Sequence, residues 1–139
     1  MKKTIMIVDD NYDMIHCVKR GLDDISSSYS FMEADSGEEC ISLLKNRQIP
    51  DLILLDIMMP GIDGLETAAQ IQSKPKWKKI PIVFLTARTD DVSRELGSAV
   101  SRDYIEKPFD IFDLKKRIDK IVGYQKSGKD RLSDCRKFT

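Results

Sequence analysis

Polar side chains that could carry out chemistry follow four of the five short apolar runs in this sequence. Asp9 and Asp10 follow the first run, and Asp56 follows the third. Thr86 follows the fourth run, and Lys107 follows the fifth after one intervening residue. In an open sheet of parallel strands, ligands bind outside the carboxyl ends of the strands. We therefore expect these five side chains to meet at one edge of a sheet.

The three aspartates predict a divalent metal site. Carboxylates that share a crevice raise one another's pKa unless a cation neutralises them. The available ligands are hard oxygens with no cysteine or histidine beside them, which favours Mg²⁺, with Mn²⁺ as the alternative, over zinc. Three carboxylates, one divalent cation and the ammonium of Lys107 also sum to zero formal charge.

An aspartate beside a metal and a lysine can act as a nucleophile toward phosphorus and form an aspartyl phosphate. Catalysis of phosphoryl transfer depends mainly on positioned cations and hydrogen-bond donors around the phosphoryl oxygens. The hydroxyl of Thr86 and the ammonium of Lys107 are suited to bind two of those oxygens. The sequence has no glycine-rich loop for a nucleotide phosphate.

Short apolar runs alternate with segments of helical spacing, which predicts the elements that position these residues. Runs without polar alternation are typical of strands covered on both faces, as in parallel sheets. Five strands alternating with five helices predict a doubly wound α/β sheet with right-handed crossovers. The predicted strands are 5–8, 30–34, 52–55, 82–85 and 103–105. The predicted helices are 36–46 with Ser36 as N-cap, 64–72, 90–99, and two more on the stripes Ile15, Val18, Leu22, Ile25 and Ile111, Leu114, Ile118, Ile121.

Composition restricts the class of protein. The chain has 139 residues, 41% hydrophobic and 33% charged, which is typical of one soluble globular domain. Its 23 basic and 23 acidic residues give no net charge, which removes the general electrostatic argument for nucleic-acid or membrane binding. The first apolar run is too short for a signal peptide or a membrane span. The three cysteines are widely spaced and form no finger-type metal site. We therefore expect a cytoplasmic location.

Two basic segments stand apart from the predicted site. The segment 73–79 carries four lysines around Trp77 and is predicted to be a solvated surface loop rather than a binding patch. Residues 125–139 carry a local charge of +3, with five basic and two acidic residues. We expect a domain over 1–124, followed by a basic tail or the start of a linker.

Together, four motifs resemble the receiver domain of two-component response regulators. They are Asp9-Asp10, LLDIMMPGIDG at 54–64, Thr86-Ala87 and YIEKPF at 104–109. The likeness extends from about Thr4 to Gly123. It implies a flavodoxin-like (βα)5 fold with strand order 2-1-3-4-5.

The resemblance also implies a role for each site residue. Asp56 would accept a phosphoryl group from the phosphohistidine of a histidine kinase, with Mg²⁺ held directly by Asp10 and Asp56 and by Asp9 largely through water. The implied residues are Asp56 as phosphoacceptor; Asp9, Asp10, Asp56 and the backbone carbonyl of Met58 as metal ligands; Thr86, Ala87, Tyr104 and Lys107 as phosphate-binding or switch residues; and Pro108, whose cis bond would fix the approach of Lys107. Met58 and Arg88 occupy positions that tune the loss of phosphate in this family.

A receiver is a phosphoacceptor switch that catalyses its own phosphotransfer and dephosphorylation rather than an enzyme with turnover. The output would be a downstream protein or domain on the face of the fourth helix, fifth strand and fifth helix, where many receivers also form homodimers. Val100-Ser101 replaces the frequent Gly-Ala before the fifth strand.

Other interpretations of the same residues exist. Asp10 could cap the first helix, Asp56 could be a turn residue, and Tyr104 could be a half-buried strand aromatic. A haloacid-dehalogenase-type phosphatase also places an aspartate after a parallel strand, but it needs a second aspartate where this chain has Met58. A constitutive interaction module with a vestigial acidic site is the third hypothesis.

Overall fold

The computed structural model describes residues 2–26, 28–88 and 90–123. Within these residues five strands alternate with five helices, as predicted. In chain order they are β1 (Lys3–Val8), α1 (Tyr12–Ile25), β2 (Tyr29–Ala34), α2 (Gly37–Lys45), β3 (Leu52–Leu55), α3 (Gly64–Gln72), β4 (Ile82–Thr86), α4 (Asp91–Val100), β5 (Asp103–Glu106) and α5 (Ile111–Val122). The predicted tail at 125–139 lies outside the described residues.

The strands form one parallel sheet in the order β2-β1-β3-β4-β5, which confirms the predicted doubly wound topology. The chain adds β2 on one side of β1 and then returns to add β3 on the other side. The direction of winding therefore reverses at β1 and β3, and in such sheets the crevice at the reversal is where ligands bind.

Helices cover both faces of the sheet, so the three inner strands, β1, β3 and β4, are buried along most of their length. In β1, Ile5 and Ile7 pack into one core cluster while Met6 and Val8 pack into the other, as the alternation of side chains along a strand requires. All four residues of β3 are buried. Burial on both faces explains why the sequence shows continuous apolar runs instead of alternation.

Each helix begins at the carboxyl edge of the sheet with a side-chain cap. The N-cap residues are Asn11, Ser36, Asp63, Asp90 and Asp110, and each side chain accepts a hydrogen bond from a backbone N–H of the first turn. The alternative in which Asp10 caps the first helix is therefore wrong. The carboxylate of Asp10 stays available for other partners because the neighbouring amide oxygen does the capping.

The basic segment before β4 differs from the prediction. Its lysines are exposed, but Trp77 is only 2% exposed and belongs to one of the two core clusters. Backbone hydrogen bonds from Trp77 and Lys78 to the carbonyl of Lys74 fold the segment into compact turns. Its lysines are thus held on a fixed scaffold.

Among the described helices, none is long and apolar enough to span a bilayer.

Gly64 allows α3 to begin directly beside the end of β3. Its N–H donates to the carbonyl of Ile57 at 2.8 Å. A Cβ atom at this position would lie 2.1 Å from the backbone oxygen of Asp56 and 2.7 Å from the Cα of Ile57. Only glycine permits this approach, which fixes the backbone that carries Asp56.

We expect Gly64→Ala to lower the free energy of unfolding by about 3 kcal/mol, because backbone atoms must move to admit the methyl group. Urea denaturation measures this loss. Gly123→Ala is the matched control, since a Cβ there has no neighbour within 4 Å and meets only the strain of a φ of 75°. That variant should lose about 1 kcal/mol. Equal losses in the two variants would contradict the steric explanation.

Candidate functional site

Three carboxylates converge at the carboxyl edge of the sheet. Asp9 and Asp10 follow β1, and Asp56 follows the neighbouring strand β3, whose Leu55 pairs with Val8. The three side chains offer one oxygen each within 4.8 Å of one another. Asp9 and Asp56 are 4% and 7% exposed, whereas Asp10 faces solvent. The site is thus a crevice with two buried acids and one at its mouth.

Lys107 brings a positive charge into the crevice from the end of β5. Its Nζ donates to Asp9 Oδ2 at 3.0 Å and lies 3.6 Å from Asp56 Oδ2. The backbone N–H of Lys107 donates to the carbonyl of Thr86 at 2.9 Å, which places the lysine next to β4. The following peptide bond, Lys107–Pro108, is cis, as the resemblance implies. One ammonium against three carboxylates leaves the crevice negative.

Backbone donors orient two of the carboxylates. The N–H of Asn11 donates to Asp9 Oδ1 at 2.9 Å, and the N–H of Met58 donates to Asp56 Oδ1 at 3.3 Å. The Met58 side chain itself is largely exposed. Each buried acid therefore has one oxygen facing the backbone and the other facing Lys107.

Burial raises the pKa of Asp56 above its ordinary value. A hydrogen bond with the Thr86 hydroxyl and the charge of Lys107 lower the pKa, while the charge of Asp9 raises it further. Desolvation is the largest of these causes, so the net shift is upward. The site holds Asp56 in a state where an additional cation would stabilise its charged form.

Thr86 is fully buried at the end of β4, with the exposed Ala87 beside it. The hydroxyl of Thr86 accepts a hydrogen bond from the N–H of Arg88 at 3.1 Å. The hydroxyl of Tyr104 in β5 donates to the carbonyl of the same Arg88 at 2.7 Å. The backbone of Arg88 thus connects Thr86 in the crevice to Tyr104, which lies outside it.

Contacts that the sequence did not indicate hold Tyr104 in place. The guanidinium of Arg94 in α4 lies 5.6 Å from the centre of the Tyr104 ring and forms an ion pair with Glu106. The ring also packs against Phe84, with centroids 5.9 Å apart, and a Cβ atom on Gly97 would lie 2.6 Å from its Cε2. No spacing signal in the sequence links α4 to β5, so these contacts depend on tertiary structure.

The structure therefore brings together five of the predicted site residues in one crevice, and places the remaining ones around it. Those in the crevice are Asp9, Asp10, Asp56, Thr86 and Lys107. Ala87, Met58 and Pro108 adjoin it along the chain. The arrangement offers a carboxylate nucleophile, oxygen ligands for a hard cation and donors for a tetrahedral anion.

Comparison with known proteins agrees with this arrangement. The family model of the response regulator receiver domain matches residues 5–119. The transcriptional regulatory protein YvrH of Bacillus subtilis is 39% identical over 117 residues, which cover 83% of this chain and 47% of YvrH. The chain spans about half the length, or less, of the curated relatives it matches.

Solved structures extend the similarity to the whole fold. A response regulator from Chloroflexus aurantiacus superposes with a TM-score of 0.74 at 33% identity, covering 88% of this chain and 99% of that one. The phosphorylated cyanobacterial phytochrome response regulator RcpA gives a TM-score of 0.79 at 27% identity, covering 91% and 98%. The sheet order, the acidic crevice and the matched motifs are those of one family, and the chain belongs to the response regulator receiver domains.

Proposed function

We propose that this chain accepts a phosphoryl group on Asp56 from a histidine kinase and then changes the surface it presents to a partner. Receiver domains take phosphate from histidine kinases and pass signals to output domains. The observation that carries the proposal is the placement of Lys107 between two buried carboxylates, within 3.0 Å of Asp9 and 3.6 Å of Asp56. The structural neighbour RcpA is itself described in a phosphorylated form.

The donor set fits Mg²⁺. Asp9, Asp10 and Asp56 supply hard oxygen ligands close enough to share one ion, and they carry more negative charge than Lys107 balances. The backbone carbonyl of Met58 is the further protein ligand in this proposal. When bound, Mg²⁺ would supply positive charge to the oxygens of the reacting groups.

Phosphoryl transfer then needs little beyond positioning. A carboxylate oxygen of Asp56 attacks phosphorus, the bond from phosphorus to the imidazole nitrogen of the donor breaks, and that nitrogen takes up a proton. Lys107 and the Thr86 hydroxyl would bind phosphoryl oxygens, with the chain at Ala87 alongside. Attack of water on the same phosphorus would release phosphate and restore the carboxylate.

The signal would leave the crevice through Arg88. If the Thr86 hydroxyl turns toward the phosphoryl group, it gives up the bond from the Arg88 N–H. The carbonyl of Arg88 accepts the hydrogen bond from the Tyr104 hydroxyl. Movement of the loop therefore releases the Tyr104 ring, which packs against α4. A phosphoryl group that interacts more favourably with the moved loop raises the population of that arrangement, and the position of the Tyr104 ring changes with it. The output surface in this proposal is the face formed by α4, β5 and α5.

We expect acetyl phosphate with Mg²⁺ to add one phosphoryl group, an increase of about 80 Da in intact mass. Asp56→Asn should abolish the increase, and removal of Mg²⁺ with a chelator should prevent it in the wild type. Asp35→Asn is the matched control, because Asp35 is exposed and follows β2 at the same edge of the sheet. An unmodified wild-type mass, or loss of labelling in the control, would refute Asp56 as the acceptor.

We expect Thr86→Ala to keep most of the labelling but to lose the conformational response. Beryllofluoride with Mg²⁺, a stable phosphoryl mimic, should shift the amide resonances of α4 in the wild type. The shifts should fall by more than half in the variant, because no hydroxyl couples the crevice to the Arg88 N–H. Thr4→Ala, at the opposite end of the sheet, should respond as the wild type does. Equal α4 shifts in Thr86→Ala and wild type would exclude this route.

We expect Asp56→Asn to raise the free energy of unfolding at neutral pH in the absence of Mg²⁺. The raised pKa of Asp56 means that its charged form disfavours the folded state. As pH falls through the folded-state pKa toward the ordinary value of 3.8, wild-type Asp56 binds a proton and the difference should disappear. Urea denaturation at several pH values measures the trend.

Mg²⁺ provides the control for this prediction. At about 100 times its Kd, a ligand that binds only the folded state stabilises it by about 2.7 kcal/mol. The wild type should gain this amount, and Asp56→Asn should gain less because one ligand is neutral. A variant that is less stable than the wild type at neutral pH without Mg²⁺ would contradict the charge argument.

A further inference from the structure

Charge is distributed unevenly between the two edges of the sheet. The carboxyl edge carries the acidic crevice and three aspartate caps. The opposite edge, where the strands begin, carries the lysine-rich turn before β4. The lysine-rich turn is therefore a local positive surface on a chain with no net charge.

A groove of about 430 Å³ opens within this positive surface. One wall is the connection from α3 to β4, with Lys78 and Lys79. The other wall is the connection from α4 to β5, with Arg102. Pro81 and Val100 also line the groove. Each of the two segments that form the groove thus contributes at least one cation to its lining.

The walls of the groove are held by the fold. Trp77 anchors the lysine-rich turn in the core, and the N–H of Ile80 donates to the Trp77 carbonyl at 3.0 Å. The N–H of Arg102 donates to the carbonyl of Ile82 at 2.8 Å, which ties one wall to the other. The backbone that carries the cations is therefore preformed. Binding of a ligand here costs less free energy than binding to a loop that must first become ordered.

None of the cations at this groove has an acidic partner within the part of the chain that the structure describes. Lys78, Lys79 and Arg102 form no ion pair there, and neither do Lys74 and Lys76 on the same turn. By contrast, two arginines of the output face are paired. Arg94 in α4 forms an ion pair with Glu106, and Arg117 in α5 forms one with Asp103. Positive charge at the groove remains available to an anionic ligand.

We propose that this groove binds an extended acidic segment of a partner protein, at a site separate from the phosphorylation crevice. An extended chain presents successive side chains to opposite sides, so neighbouring acidic residues can reach the cations of both walls. The cations line a concave groove of about 430 Å³, which suits a single extended chain better than the broad surface of a nucleic-acid duplex or a membrane.

The first test uses a fluorescein-labelled dodecapeptide of four Glu-Glu-Ala repeats, which places glutamates on both sides of an extended chain, with a Gln-Gln-Ala peptide as the uncharged control. At low salt, fluorescence anisotropy should show binding of the acidic peptide only. The double variant Lys78→Glu with Lys79→Glu should weaken its affinity at least about five-fold. Lys45→Glu with Arg47→Glu makes the same change in charge on exposed residues that do not line the groove, and should weaken it less than two-fold.

Amide resonances locate the site directly. Titration with the unlabelled acidic peptide should shift the amides of residues 78–80, 82 and 99–102 and leave those of 45–47 unchanged. Acetyl phosphate labelling of Asp56 should be normal in both double variants, which confirms that they fold and separates this test from that of phosphorylation.

Three results would overturn the proposal. The first is no binding of the acidic peptide. The second is equal weakening by the two double variants, which would indicate a response to overall charge. The third is that a DNA duplex or phosphatidylserine vesicles bind more tightly than the peptide, and that the double variant Lys78→Glu with Lys79→Glu loses this binding. Such a result would assign the groove to a different class of partner.

Discussion

The repulsion among three carboxylates in one crevice is the constraint on which the rest of this structure depends. Two of the acids are nearly inaccessible to water, and desolvation raises the pKa of Asp56. Lys107 offsets part of this cost by approaching Asp9 and Asp56 together. The remaining negative charge gives the crevice affinity for a further cation. Once a cation is bound, Lys107 and the Thr86 hydroxyl can donate hydrogen bonds to an anion.

The fold supplies this arrangement by bringing strand ends together. Parallel pairing of β1 with β3 makes Asp9 and Asp56 neighbours, and the ladder from β4 to β5 delivers Lys107 to the same place. Gly64 then allows α3 to start against the backbone of Asp56. Each of these steps is a backbone relation that fixes where the site's side chains begin, and the long side chain of Lys107 then completes the contact with the two buried acids.

Much of this could be predicted from the sequence because continuous apolar runs and strand-end polar residues are local signals. The bounds of β3 and α3 agree with the predictions 52–55 and 64–72. Contacts between distant segments carry no such signal. The burial of Trp77 within a lysine-rich segment, the position of Arg94 over Tyr104, and the part played by the Arg88 backbone all depend on tertiary packing.

The weak anchoring of α4 has a consequence for the motions of this domain. Its fully buried residues are Ser93 and Gly97, while Val92 and Leu96 are exposed. Burying a leucine contributes roughly 1.5–3 kcal/mol, and α4 has no fully buried residue of that kind. We expect a helix held this way to open at a small fraction of the global unfolding free energy, with faster amide exchange than in helices such as α5, which buries Leu114 and Ile118. The sheet and its crevice can thus stay closed to exchange while the neighbouring helix samples other positions on a faster timescale.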